Sequence, residues 1–149
     1  MKLLKMCTLI EKQDSTLLQQ LVDYLHPKVF SLSNDDLAQL YAPLVLMNTI
    51  GMRDNKLLKA VESLTLRRLY QLEHAQIAKI TKAYSLLQGQ SVSLIKTISA
   101  IVVTKADEFS ASDLCMCISA LSRLNQVTNT EDTVAQLVET LEFAISQEN

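Results

Sequence analysis

Apolar residues recur at helical spacing along almost the whole chain, in short stripes separated by polar breaks. The clearest stripe lies in residues 109–125, FSASDLCMCISALSRLN. It opens on Ser110-x-x-Asp113, a helix-start signal, carries Leu114, Cys117, Ile118, Leu121 and Leu124, and stops at Asn125. Positions three and four apart fall on one face of a helix, so this spacing predicts an amphipathic helix. The same phrase begins near Phe30, with Leu37, Leu40, Tyr41, Leu44 and Met47, and near Tyr70, with Ile77, Ile80, Tyr84 and Leu87. A second stripe follows each copy: Leu57, Val61 and Leu64; Leu94, Ile98 and Ile101; Val134, Val138 and Leu141. Upstream, a helix over 16–26 places Leu17, Leu21 and Tyr24 on one side and is closed by His26-Pro27, because the residue before proline is driven from the α region. Before that break, residues 2–12 read as a helix carrying Leu3, Leu4, Cys7 and Ile10, and Asp14-Ser15-Thr16 as its polar stop.

The stripes keep step. From one anchor to the next, Leu17 to Leu37, Leu57 to Ile77 and Leu94 to Leu114 are each 20 residues. The alternate steps, Leu37 to Leu57, Ile77 to Leu94 and Leu114 to Val134, are 20, 17 and 20. Helix pairs repeating at this period predict an all-α fold, an α-solenoid of helix-turn-helix repeats. Its single domain, 1–149, divides into a partial repeat 1–29 and repeats 30–69, 70–107 and 108–149. A tighter turn after Gly89 is expected to account for the short step, Gly51 to end the first inner helix, and Pro43 to kink that helix. Cys7 stands in register with Met47, Leu87 and Leu124, so the first inner helix is incomplete. The expectation is a protein partner covering the N-terminal end, or a longer solenoid of which this is a part. Glu131, Asp132, Glu139 and Glu142 give the last helix the polar face of a solvated end.

Composition narrows the chemistry. Two glycines and two prolines are too few for the turns of a β-sandwich or an α/β enzyme, and Gly51 and Gly89 stand too far apart for a phosphate-cradling loop. Cys115 and Cys117 lie about 200° apart on a helix, so they neither chelate one metal nor pair with each other. With Cys7 they read as buried reduced thiols. His26 and His74 have no Cys or carboxylate at metal-ligand spacing, and Asp35-Asp36 reads as a helix-start device. The expectation is no catalytic site, no metal and no cofactor. No apolar run reaches the length of a membrane span, so no membrane contact is expected.

Charge adds the one patch with content. A net charge of −2 conceals a balance of +6 over residues 53–105 and −7 over 106–149. Lys79 and Lys82 sit three apart on the middle inner helix, where the other copies have Gln39 and Ala42, Met116 and Ser119. They are neighbours on that surface and the best candidates for phosphate contacts, with Arg67, Arg68 and Arg123 as further ones. Tyr84 shares its register with Leu44 and Leu121 and reads as core, not as a base-stacking ring.

The phrases Phe30-Ser31-Leu32-Ser33-Asn34-Asp35-Asp36-Leu37, Phe109-Ser110-Ala111-Ser112-Asp113-Leu114 and Ala120-Leu121-Ser122-Arg123-Leu124-Asn125 carry a further reading. Over most of residues 17–143 the chain resembles the organellar helical-repeat proteins of the octotricopeptide, heptatricopeptide and FAST-kinase type. That resemblance implies a mitochondrial, RNA-associated subunit of a ribonucleoprotein, such as the mitochondrial ribosome or its assembly intermediates. The alternative is a protein–protein scaffold of armadillo or tetratricopeptide type in a multi-subunit complex. An interior proline, an acidic overall balance and few repeats depart from the family pattern.

Overall fold

The computed structural model describes residues 15–147. Every regular element among them is helical: α1 (Ser15–Leu25), α2 (Asn34–Thr49), α3 (Asn55–Arg68), α4 (His74–Leu86), α5 (Val92–Thr104), α6 (Ala111–Leu124) and α7 (Glu131–Gln147). Short 3-10 turns fill His26–Ser31, Leu69–Gln71 and Ala106–Glu108. The helix expected over 2–12, with Cys7, and the polar stop at Asp14 lie outside the described residues. The chain forms two compact units, Met1–Arg68 and Leu69–Asn149.

The helices start where the sequence offers a partner for their unpaired N–H groups. Ser33 Oγ accepts from the Asp36 N–H at 3.1 Å, and Ser110 Oγ accepts from the Asp113 N–H at 3.1 Å. Each cap satisfies a donor that the helix itself cannot. The middle copy uses a different pair, with the Glu73 N–H donating to Gln76 Oε1 at 3.0 Å.

In the first unit α2 packs on α3, and the turn His26–Ser31 sits against both α1 and α3. Leu37, Leu40, Tyr41, Leu44 and Met47 are all buried, as their spacing requires. Tyr41 and Thr65 join α2 to α3 through a 2.6 Å bond between buried hydroxyls. Thr65 Oγ1 donates to the Val61 carbonyl, so the Tyr41 hydroxyl is the donor of the pair. Burial holds the Tyr41 phenol well above its ordinary range. Helix α2 runs unbroken through the buried Pro43. It ends in a Schellman turn: Met52 N–H donates to the Met47 carbonyl and Gly51 N–H to that of Asn48. Gly51 has φ +80°, the left-handed conformation predicted for it.

One stripe differs from expectation. In α1 the buried side chains are Leu18, Val22 and Leu25, while Leu17 and Tyr24 are 36% and 41% exposed. The two triplets have the same i, i+4, i+7 spacing and lie one residue apart, so period alone does not choose between them. In α7 the same ambiguity recurs: Leu137 is buried, and Val134, Val138 and Leu141 flank it half-buried.

In the second unit α4 and α6 lie side by side, α7 packs on α6 and α5, and the turn Ala106–Glu108 touches α5 and α7. Helices α4 and α6 run parallel. The start of α4 meets the segment that leads into α6, where His74 Nε2 stands 3.1 Å from Glu108 Oε2 and its ring 4.8 Å from that of Phe109. Their last turns line one cleft. The core contains Ile77, Ile80, Tyr84, Leu87, Leu94, Ile98, Ile101, Leu114, Cys117, Leu121 and Leu124. Cys117 is buried as predicted, but Cys115 is exposed, since two positions along a helix reach its opposite side. Burial, with Asp113 nearby, pushes the Cys117 thiol up to about 12.

The short step of the repeat has a different origin from the one predicted. Helix α2 has 16 residues and α4 has 13, whereas five residues join α2 to α3 and five join α4 to α5. The missing residues come from the end of α4, and the turn keeps its length. Gln88, not Gly89, takes the left-handed conformation, at φ 55°. The Schellman bonds run from Gly89 N–H to the Tyr84 carbonyl and from Gln88 N–H to that of Ser85. Gly89 is needed for another reason: a Cβ there would fall 2.0 Å from Cζ of the Tyr84 ring. Tyr84 is wholly buried, and its hydroxyl accepts from the Ser91 N–H at 2.9 Å.

Candidate functional site

Lys79 and Lys82 are both exposed on α4. Neither has a hydrogen-bond or ion-pair partner among the described residues. Being three residues apart they share one surface strip, which continues to Ser85 at the same interval. Ser85 is nearly buried, and its hydroxyl donates to the Lys82 carbonyl at 2.7 Å.

Ser85 also forms part of the wall of a cleft of about 470 Å³ at the ends of α4 and α6. Gln88 and Gln90 line it from the α4 side, and Arg123, Leu124, Gln126 and Val127 from the α6 side. Local bonding fixes both walls. The Gln90 side-chain amide donates to the Gln88 carbonyl at 3.0 Å. On the other side, Asn125 Oδ1 accepts from the Thr130 N–H at 2.9 Å, and Thr130 Oγ1 donates to the Leu121 carbonyl at 2.6 Å. Val127 N–H and Thr128 N–H both turn back onto the Leu124 carbonyl. The side chains of Arg123, Gln88 and Gln126 have no partner among the described residues. Arg123 therefore stands on the same helix pair as Lys79 and Lys82, and all three bases belong to one unit.

The other two predicted bases belong to the first unit and are engaged there. Arg68 is half-buried, and its guanidinium donates to the carbonyls of Leu32 and Phe30 and to Asn34 Oδ1. It clamps the turn His26–Ser31 and the start of α2 onto the end of α3. Arg67 is exposed and lies 5.3 Å over the ring of Phe30. A neighbouring pair has the same form, Lys28 Nζ lying 3.4 Å over the Tyr24 ring.

The glutamines of the cleft were not among the predicted site residues. A signal for them exists in the sequence: Gln88-Gly89-Gln90 and Asn125-Gln126 each follow directly on an inner-helix stripe. Polar residues just past a helix are ordinary loop content, and only the parallel packing of α4 and α6 gives these a common address. Among the described residues no three His, Cys, Asp or Glu side chains are grouped to hold a metal, and no helix is long and apolar enough to cross a membrane. Compared with protein-family models, curated proteins and solved structures, the chain matches none of them.

Proposed function

We propose that the chain is a non-catalytic α-solenoid module that lies against RNA as a subunit of a larger ribonucleoprotein. The carrying observation is the pair Lys79 and Lys82, exposed and without acidic partners, on a helix whose parallel neighbour adds the unpaired Arg123. Three cations on one helix layer suit an RNA strand, and neutralisation of its phosphates by the two lysines releases counterions and drives association irrespective of sequence. The parallel, side-by-side packing of α4 and α6 supports the repeat reading, since corresponding helices of stacked helix pairs contact each other in this way. The resemblance to organellar repeat proteins points to a mitochondrial complex such as the ribosome or its assembly intermediates.

The test is fluorescence anisotropy of labelled single-stranded RNA titrated with the full chain and with the Lys79→Gln/Lys82→Gln variant. The double variant is expected to bind several RNAs uniformly more weakly and with a flatter salt dependence. Unchanged affinity and salt slope would remove the assignment.

A scaffold reading draws on one different observation. Phe143 and Ile145 on α7 are 67% and 50% exposed, which is unusual for large apolar side chains on a helix otherwise rich in acids. That reading expects no salt-sensitive RNA binding and a stoichiometric protein partner whose retention needs Phe143.

A further inference from the structure

The cleft at the ends of α4 and α6 is polar and within the size range of small-ligand sites. It differs in field from the Lys79 and Lys82 strip. Two parallel helices end at it, and the C-terminal end of each helix carries a partial negative charge of about half a unit. Arg123 offsets that field without making the cleft strongly positive. Such a site disfavours phosphate or carboxylate and suits a neutral, planar group with hydrogen-bonding atoms along its edge. The unpaired side chains supply a matching set. Arg123 offers a rigid fork of N–H donors, and Gln88 and Gln126 each offer an amide oxygen and an amide N–H₂.

We propose that this cleft holds one unpaired guanine base of the bound RNA. The guanidinium of Arg123 donates to the O6 and N7 acceptors, the pairing that a planar fork makes best. The amide oxygens of Gln88 and Gln126 accept from the N1–H and the N2 amino group. Ser85 connects the cleft with Lys82 along α4, so the phosphates beside that base lie over Lys82 and Lys79. Adenine presents an amino donor where guanine has O6, which leaves part of the Arg123 fork unpaired and the base rejected. The location of the phosphates rests on the RNA reading given above, whereas recognition of the base does not.

Two measurements separate them. In the first, anisotropy compares an oligouridine with the same oligomer bearing one central guanosine or one central adenosine. The guanosine oligomer is expected to bind about tenfold more tightly than the other two. Arg123→Gln is expected to abolish that preference, bringing the guanosine oligomer down about tenfold to the affinity of oligouridine, whereas Lys79→Gln/Lys82→Gln is expected to weaken all three oligomers and keep the preference. Arg123 is exposed, so the variant is expected to retain the wild-type melting temperature.

In the second, guanosine nucleoside is titrated against the labelled protein and followed by NMR. Shifts are expected at the side-chain amides of Gln88 and Gln126, with adenosine producing none. RNA binding without a guanosine preference would overturn the base assignment and leave the RNA reading standing. Guanosine shifts at Gln88 and Gln126 without RNA binding would do the reverse. Absence of both would overturn both.

Discussion

Tyr84 and Gly89 depend on one another. The ring occupies the space a Cβ at residue 89 would need, and the hydroxyl satisfies the Ser91 N–H at the start of the next helix. Gly89→Ala must therefore displace a wholly buried ring, and a loss of about 1–3 kcal/mol is expected in urea denaturation, as for overpacking in general. Gly51→Ala meets no atom within 4 Å and suffers only the left-handed strain of φ +80°. Its cost should be smaller, about 1 kcal/mol. The reverse order would show that the Tyr84 contact is not what residue 89 protects. Cys117 offers a second test at this scale. Its folded pKa of about 12 lies above the ordinary 9.0, so the folded state holds the thiol proton more tightly than the unfolded chain. The resulting stabilisation is complete below about pH 9 and is lost as pH rises toward 12. Tyr41 shifts in the same direction and adds to the loss at still higher pH. Stability measured by urea midpoint should fall between about pH 9 and 12, and Cys117→Val should reduce that fall. A pH-independent midpoint over that window would contradict the burial of the thiol.

Individual helices are held at their ends more than by propensity. Arg68 joins the end of α3 to two carbonyls of the segment between α1 and α2 and to the Asn34 amide at the start of α2, which makes it a brace. Arg68→Gln leaves those acceptors without their charged donor, and a loss of about 1–3 kcal/mol is expected. A variant that lost RNA affinity with wild-type stability would restore it as a surface contact. The distinction between Arg67 and Arg68 was not legible in the sequence, since adjacent arginines at a helix end look alike until their partners are placed. Helix existence was legible, because Leu37, Ile77 and Leu114 repeat at nearly constant distance and the first and last of them follow a helix-start signal. The buried side of α1 was not: Leu17-Leu18, Leu21-Val22 and Tyr24-Leu25 form two interleaved apolar triplets, and only packing selected the second. The cleft was hidden for a related reason. Its two walls are 33 or more residues apart in the chain, and each is unremarkable by itself.

For the molecule as a whole, charge segregation sets the expected behaviour in solution. Acids crowd the last third of the chain, while Lys79, Lys82 and Arg123 stand without ion-pair partners among the described residues. If Lys79 and Lys82 are the phosphate contacts, the logarithm of RNA affinity should fall against the logarithm of salt with a slope of about −1.4, from about −0.7 per contact on a single strand. A slope near zero would instead favour the protein-scaffold reading. The shortened α4 has a consequence for how such a chain changes over time. Three residues correspond to about 300° of helix, close to a full turn. Their loss shifts the following turn by only about 60° and leaves the core-facing stripe aimed much as before. Insertions and deletions are then tolerable when they come in threes or fours at helix ends. Helices can lengthen or shorten by a turn while the residues that face the core remain unchanged.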